Sequence, residues 1–182
     1  MIIEEVRKFV EEACNEHTLG KEIYINHFLP VVDYAKLLAN GKGVDLELIE
    51  IAALLHDIGS ILNGRENHHI TGAEIAEKKL TELNYPNDKI QKIKNCILHH
   101  RGSIGNSFNS IEEQIIAEAD SLTLFGNLEG YFLWVIEQDG IKDQKRIRES
   151  VRQKIQNKWN QLSPNARLLV KNKFEAAMLL FD

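Results

Sequence analysis

Five histidine and aspartate side chains stand where helical spacing would normally place apolar residues. The stretch AALLHDIGS, residues 52–60, runs from four apolar residues directly into His56 and Asp57. His56 follows Ile49 by seven residues and so continues a buried stripe, while Asp57 borders it. The same helical spacing places three more polar side chains on apolar faces: His27, His100 and Asp120. The sequence therefore predicts that polar side chains from four helices point towards one core.

A buried carboxylate destabilises a fold by several kcal/mol unless it is paired, hydrogen-bonded or bound to a metal. Neutral imidazoles and carboxylates on converging helices suit a divalent cation, because the cation offsets the buried negative charge. A single histidine on an apolar face is more often an ordinary core or helix-end residue, and Asp120 alone could cap a neighbouring helix. The metal-site prediction depends on the five residues together.

Helical periodicity extends along nearly the whole chain. Pro30 removes a backbone donor, so the second helix should either start near Asn26 or kink there. Asp45 is predicted to be the N-cap of a helix of about fifteen residues that stops at Gly59. Ser110 and Glu113 form a capping-box pattern at the start of another helix. A loop is expected at 60–67 and a Gly/Ser/Asn-rich loop at 101–109. The remaining helices are expected at 68–83, 87–100, 128–139, 141–161 and 164–181.

We therefore predict an all-α, single-domain helical bundle of about eight or nine helices over residues 1–182. The motif-bearing core covers about 20–126, and 127–182 should complete the bundle. A length of 182 residues with 43% hydrophobic residues suits one sizeable core. No apolar run approaches the roughly 20 residues of a membrane span, so no membrane partner is expected.

Charge and cysteine content narrow the class of protein further. The net charge of −5 argues against a nucleic-acid scaffold held by a basic surface, so no nucleic-acid partner is expected. The two cysteines, Cys14 and Cys96, show no pairing or metal-binding pattern, which favours a reduced, cytoplasmic protein.

The order His … His-Asp … Asp, present as His27, His56-Asp57 and Asp120, resembles the HD superfamily of metal-dependent phosphohydrolases. The sequence around these residues also resembles that family, in the segments NHFLPVVDYAKLLA, IAALLHDIGS and IIAEADSLTLFG. The resemblance covers about 20–126. It implies the helical bundle of HD domains and one or two divalent metal ions per chain, of Mn, Fe, Mg, Ni, Co or Zn. It also implies that Asp57 contacts the metal and bridges two ions where two are present.

Members of this family with extra histidines often hold two metals. The resemblance selects His68 in HHITGAEIA, whereas helical periodicity leaves His68 and His69 equivalent. His100 in ILHHRGS matches the family's second extra position, and periodicity independently favours His100 over His99. The alternative for both HH pairs is a solvated helix start and a solvated helix end.

The resemblance implies hydrolysis of a small phosphorylated substrate, a phosphate ester or phosphoanhydride, with a nucleotide as one candidate. The nucleophile would be a metal-bound hydroxide, and Asp57 would be the catalytic carboxylate. Arg101, directly after His100, and Arg65, in the loop after the third helix, are candidates for holding phosphate charge; each could equally be an ordinary solvated base. Two other functions stay open: a non-catalytic metal- or nucleotide-binding signalling module, and a di-iron oxygenase of the HD type.

Overall fold

The computed structural model describes residues 1–101, 108–139 and 143–181, and these residues are helical without any strand. Nine of the described helices have ten residues or more, and two shorter helices, α2 and α5, join them. The helices are α1 (Ile2–Asn15), α2 (Gly20–Ile23), α3 (Leu29–Ala39), α4 (Leu46–Leu55), α5 (Ile58–Asn63), α6 (His68–Glu82), α7 (Asn87–His99), α8 (Ile111–Thr123), α9 (Leu128–Asp139), α10 (Gln144–Gln161) and α11 (Pro164–Leu179). The all-α prediction is confirmed. Every described helix is too short or too polar to cross a membrane.

The chain forms two compact units, Met1–Asp120 and Ser121–Asp182. All six residues predicted to bind metal belong to the first unit. The expectation of a single domain over 1–182 stays a prediction.

Helix α4 forms the centre of the first unit. Every residue from Leu48 to Leu55 is buried, as expected for a helix that is apolar on nearly all sides. Helices α1, α3 and α7 pack against it. The exception to its apolar character is Glu50, which forms salt bridges with Arg7 at 2.7 Å and with Lys36 at 2.5 Å. The helix that ends at the His-Asp pair is therefore the most deeply packed element of this unit.

A turn of π-helix, Tyr24–Phe28, joins α2 to α3 and carries His27. The N–H of Leu29 donates to the carbonyl of Tyr24, five residues earlier. Pro30 stands in the first turn of α3 and has no N–H with which to continue the usual ladder. The predicted irregularity near Asn26 thus takes the form of a π-turn, an irregularity that often accompanies functional residues.

The end of α4 differs from the prediction. Asp45 caps the helix as expected, since its Oδ1 accepts from the N–H groups of Glu47 and Leu48. The helix, however, stops at Leu55 rather than at Gly59. The chain turns at His56 and Asp57 and enters α5, so residues 60–63 are helical where a loop was expected. Gly59 lies within α5, and its role is packing rather than helix termination.

The later helices lie close to their predicted positions. The N–H of Glu113 donates to Ser110 Oγ at 3.2 Å, and Glu113 Oε2 accepts from the N–H of Asn109 at 3.1 Å. This is the predicted cap, shifted by one residue from the standard capping box. Most of the loop expected at 101–109 falls on 102–107, outside the described residues.

The second unit contains the end of α8 and helices α9, α10 and α11. Ser163 Oγ accepts from the N–H of Ala166, with Pro164 in the first turn, as the Ser-Pro pair predicts. Phe174 stacks on Trp159 with ring centroids 4.0 Å apart, and Phe125 meets both rings edge-on. The first two residues of the helix expected at 141–161 lie outside the described residues.

Candidate metal centre

Asp57 lies between two pairs of histidines, and each of its carboxylate oxygens faces one pair. Oδ2 is 3.3 Å from His27 Nε2 and 3.8 Å from His56 Nε2. Oδ1 is 3.1 Å from His68 Nε2 and 3.4 Å from His100 Nε2. The two groups that could hold a metal ion among the described residues are therefore His27–His56–Asp57 and Asp57–His68–His100, which share this one carboxylate.

The backbone orients three of the four rings in the same way. The Nδ1–H groups donate to a carbonyl three residues earlier: His56 to Ala53 at 2.8 Å, His68 to Arg65 at 2.8 Å and His100 to Ile97 at 2.6 Å. A carbonyl only accepts, so Nδ1 carries the proton and a neutral ring has a bare Nε2. Each Nε2 therefore directs a lone pair at Asp57, as in histidines that bind metals.

The distances between nitrogens suit a shared cation better than mutual hydrogen bonds. His27 Nε2 and His56 Nε2 are 3.1 Å apart, and His68 Nε2 and His100 Nε2 are 3.3 Å apart. Two nitrogens that bind the same ion at 2.0–2.1 Å, with an angle at the ion between a right angle and the tetrahedral value, lie about 2.8–3.4 Å from one another. Asp57 Oδ1 is buried without a hydrogen-bond partner. Converging lone pairs and a buried carboxylate oxygen without a donor both fit divalent metal ions.

The charge states of the site agree with this donor set. Burial lowers the pKa of His56 to about 4, so His56 is neutral at pH 7. Burial would raise the pKa of Asp57, but the surrounding rings of His56, His100, His27 and His68 favour the ionised carboxylate and hold that pKa well below its usual range. The negative charge of Asp57, 3.1 Å away, raises the pKa of His68. Asp57 is therefore an ionised carboxylate among basic rings.

Asp120 lies beside the first group, next to His27. Its Oδ1 lies 3.6 Å from His27 Nε2. Helix α8 presents Asp120 one turn after Ile116 and Ala117, which are buried in the core. The structure thus brings together all four residues of the His … His-Asp … Asp order from separate parts of the first 120 residues.

The structure also distinguishes the members of each HH pair. His68 and His100 are buried and face Asp57, while their neighbours point elsewhere. His99 Nδ1 lies 3.1 Å from Glu113 Oε2, which joins the end of α7 to the start of α8. No contact of His69 with Asp57 occurs among the described residues. The alternative of a solvated helix start and end therefore does not describe His68 and His100.

The two arginines proposed for phosphate binding lie at the side of the second group. Arg101 is exposed, and its charge acts to lower the pKa of both His68 and His69. Arg65 is exposed, and its carbonyl holds the His68 ring. Their side chains stay candidates for substrate contact.

The groups that support these side chains were not predicted from the sequence. The carbonyls of Ala53, Arg65 and Ile97 orient the rings, but a backbone acceptor has no residue signature. The i−3 relation to each histidine is the signal that could have found them. Gly59 and Gly72, which bring α5 and α6 together, were likewise missed in this role.

Comparisons with known proteins agree with the site. The model of the HD domain matches residues 24–124. An uncharacterized protein of Methanocaldococcus jannaschii is 30% identical over 145 residues, which cover 69% of this chain and 77% of that protein. Ribonuclease Y of Enterococcus faecalis is 30% identical over 141 residues, 66% of this chain and 25% of the enzyme.

Another relative is an uncharacterized protein of Clostridium beijerinckii, 36% identical over 104 residues. The chain spans 63% of that protein's length, and the match covers 54% of the chain. A crystal structure of the HD domain of the L. monocytogenes phosphodiesterase PgpH with cyclic-di-AMP aligns with a TM-score of 0.43. That alignment has 17% identity and covers 89% of this chain and 95% of the other. With more than half of its length matched by the family model, the chain belongs to the HD-domain family.

Proposed function

We propose that this protein is a metal-dependent phosphohydrolase that cleaves a phosphate ester or phosphoanhydride of a small molecule, with nucleotides as the first substrate class to test. The single observation that carries the proposal is the position of Asp57, whose two oxygens each face a pair of histidine Nε2 atoms. In this assignment His27, His56, Asp57 and Asp120 hold one divalent ion. Asp57, His68 and His100 hold a second.

Divalent ions in such a site supply a water of lowered pKa and neutralise charge on phosphoryl oxygens. The protein's own task is then mainly positioning and electrostatics, which dominate phosphoryl transfer. His56, with its pKa near 4, stays a neutral ligand at pH 7. The carbonyls behind three rings keep each Nε2 turned inward without reorganisation during the reaction.

Charge at the edge of the second group supports a phosphorylated substrate. Arg101 is exposed and lies close enough for its charge to oppose protonation of His68 and, together with burial, to lower the pKa of His69. A guanidinium can bind two phosphate oxygens at once and stays protonated throughout the physiological range. We assign Arg101 as the main phosphate-binding cation and Arg65 as the second.

The test is a screen for hydrolysis, followed by chromatography of the products, with each candidate metal: Mn, Fe, Mg, Ni, Co and Zn. Substrates are nucleoside mono- and triphosphates, a cyclic dinucleotide, an aryl phosphate monoester and an aryl phosphate diester. Because several relatives are named ribonuclease Y, the screen includes a short RNA. We expect turnover of at least one small nucleotide substrate and no preference for the RNA.

Asp57→Asn is the decisive variant, since it keeps the size of the side chain and removes its charge. We expect turnover to fall by roughly a thousandfold, the loss of several kcal/mol of transition-state stabilisation. Asp33→Asn on the exposed face of α3 is the matched control and should match the wild type. Hydrolysis that persists in Asp57→Asn would refute the assignment. Tight nucleotide binding without hydrolysis would favour a signalling module, and iron-specific consumption of oxygen would favour an oxygenase.

A further inference from the structure

We infer that Gly59 is a positioning residue for the second metal group: the absence of a side chain at Gly59 sets the distance between Asp57 and His68. The inference rests on the two-metal site proposed above. It concerns how helix packing assembles that site, and it assigns a function to a glycine that lies outside the set of ligands.

Helix α5 and the start of α6 touch through backbone at Gly59. A Cβ atom placed on Gly59 would lie 2.2 Å from the carbonyl oxygen of His68, 2.6 Å from the nitrogen of Gly72 and 2.7 Å from Thr71 Oγ1. Two of these three neighbours are backbone atoms, which cannot rotate away. The position therefore excludes every residue other than glycine unless α6 moves.

The connection from α5 to α6 is shaped to produce this close approach. Gly64 and Asn67 have positive φ angles of 83° and 54°. The Arg65 carbonyl accepts from His68 Nδ1 within the same connection. Asn67 directly precedes His68 in the left-handed conformation, which is uncommon for a residue with a Cβ. The left-handed turn at Asn67 and the glycine packing thus both position the first residue of α6.

A side chain at Gly59 would displace His68 from Asp57, because Gly59 lies next to both residues. Gly59 is two residues after Asp57, and its Cα faces the carbonyl of His68. A Cβ would have to move the His68 backbone by about 1 Å to reach ordinary van der Waals contact. Metal ligands must be held within about 0.5 Å of the productive geometry. The shift would separate His68 Nε2 from Asp57 Oδ1, while His27, His56 and Asp120 lie on other elements.

The test is Gly59→Ala, with metals per chain measured at saturating Mn²⁺. We expect the variant to keep the first ion and to lose the second, so that the ratio falls from about two to about one. Turnover should fall by about a hundredfold, the usual effect of a 1 Å displacement of catalytic groups. A variant that binds two ions with wild-type affinity would overturn the inference.

Ala76→Gly is the matched control for a general loss of stability. Ala76 is fully buried on the same helix, and its truncation destabilises α6 without moving it away from α5. We expect a lower melting temperature with two ions retained. Loss of the second ion in Ala76→Gly as well would overturn the inference, because the effect would then belong to helix stability.

Gly72→Ala provides a graded second variant in case Gly59→Ala does not fold. A Cβ on Gly72 would lie 3.3 Å from Gly59 N and 3.4 Å from Ile97 Cγ2, a tight contact rather than an overlap. We expect about tenfold weaker binding of the second ion and unchanged binding of the first. Unchanged binding of both would overturn the inference. Because these readouts are metal ratios, a wild type that binds two ions but hydrolyses nothing would refute the proposed function alone.

Discussion

Asp57 is the residue on which both halves of the candidate site depend. Each oxygen faces two imidazole nitrogens, and the buried Oδ1 has no hydrogen-bond partner. Carbonyls three residues earlier hold His56, His68 and His100 with Nε2 turned towards it. Metal binding would satisfy all of these groups at once, whereas neutral rings alone leave opposed lone pairs in the centre.

His68 and His69 allow a test at single-residue resolution. His68→Gln should remove the second ion, because it removes the imidazole nitrogen that lies 3.1 Å from Asp57 Oδ1. His69→Gln is the matched control one position along the chain and should leave metal binding unchanged. Calorimetric titration with Mn²⁺ measures both affinities. Equal effects of the two substitutions would contradict the assignment of His68.

The metal-free protein should lose stability as the pH falls from 6.5 towards 4. The pKa of His56 is near 4 in the folded protein and about 6.5 when unfolded, so unfolding takes up a proton in this window. The unfolding free energy should fall by up to about 1.4 kcal/mol per pH unit. The raised pKa of His68 acts at higher pH, and the lowered pKa of Asp57 acts mainly below this window.

Urea unfolding in EDTA at several pH values measures this slope. The His56→Gln variant serves as the control, because it lacks the group that titrates on unfolding. Its stability should vary less between pH 6.5 and 4 than that of the wild type. If the unfolding free energies of the two proteins change equally with pH, a group other than His56 dominates the pH dependence of stability.

At the scale of elements, α4 ends directly before the His-Asp pair, and α5 leads the chain back towards α6. Sequence periodicity identified the buried stripe of α4 and placed His56 on it. It did not detect that α4 ends at Leu55, because Ile58 and Ile61 continue an apolar pattern across the turn at His56 and Asp57. Periodicity reports which residues are buried, but two consecutive helices at an angle can bury the same residues as one longer helix.

The choice between His68 and His69 shows the same limit. Both residues stand on apolar faces by spacing, and the resemblance to HD proteins, rather than periodicity, selected His68. The decisive fact is three-dimensional: the glycine contact between α5 and α6 brings the first residue of α6 to Asp57. Positive φ angles at Gly64 and Asn67 also contribute to this approach.

The N-cap of α4 should contribute measurably to stability. Asp45 Oδ1 accepts from two backbone N–H groups, and its Oδ2 pairs with Lys89 at 2.7 Å. Asp45→Ala should lower the unfolding free energy by about 1–2 kcal/mol, the upper range for a lost cap. Asp143→Ala, which removes a single capping bond on α10, should have a smaller effect. Urea denaturation measures the unfolding free energy of both variants. An equal or larger loss in Asp143→Ala would contradict the prediction.

At the scale of the molecule, the site draws together residues from positions 27 to 120 of the chain, all within the first compact unit. The all-α class and the segments that carry the ligands could be predicted from sequence, because apolar spacing and caps are local signals. The division into two units could not be predicted, since composition does not change at Ser121 and no linker marks the boundary. Metal ions bound at the ends of α4, α6, α7 and α8 would link helices that are distant in sequence.

The most direct test of the central claim is the number of metal ions bound per wild-type chain at saturation, measured by elemental analysis after removal of free metal. The shared position of Asp57 predicts a ratio of about two for the wild type and close to zero for Asp57→Asn. A saturated wild type with one ion per chain would contradict the claim and would remove His68 and His100 from the set of ligands.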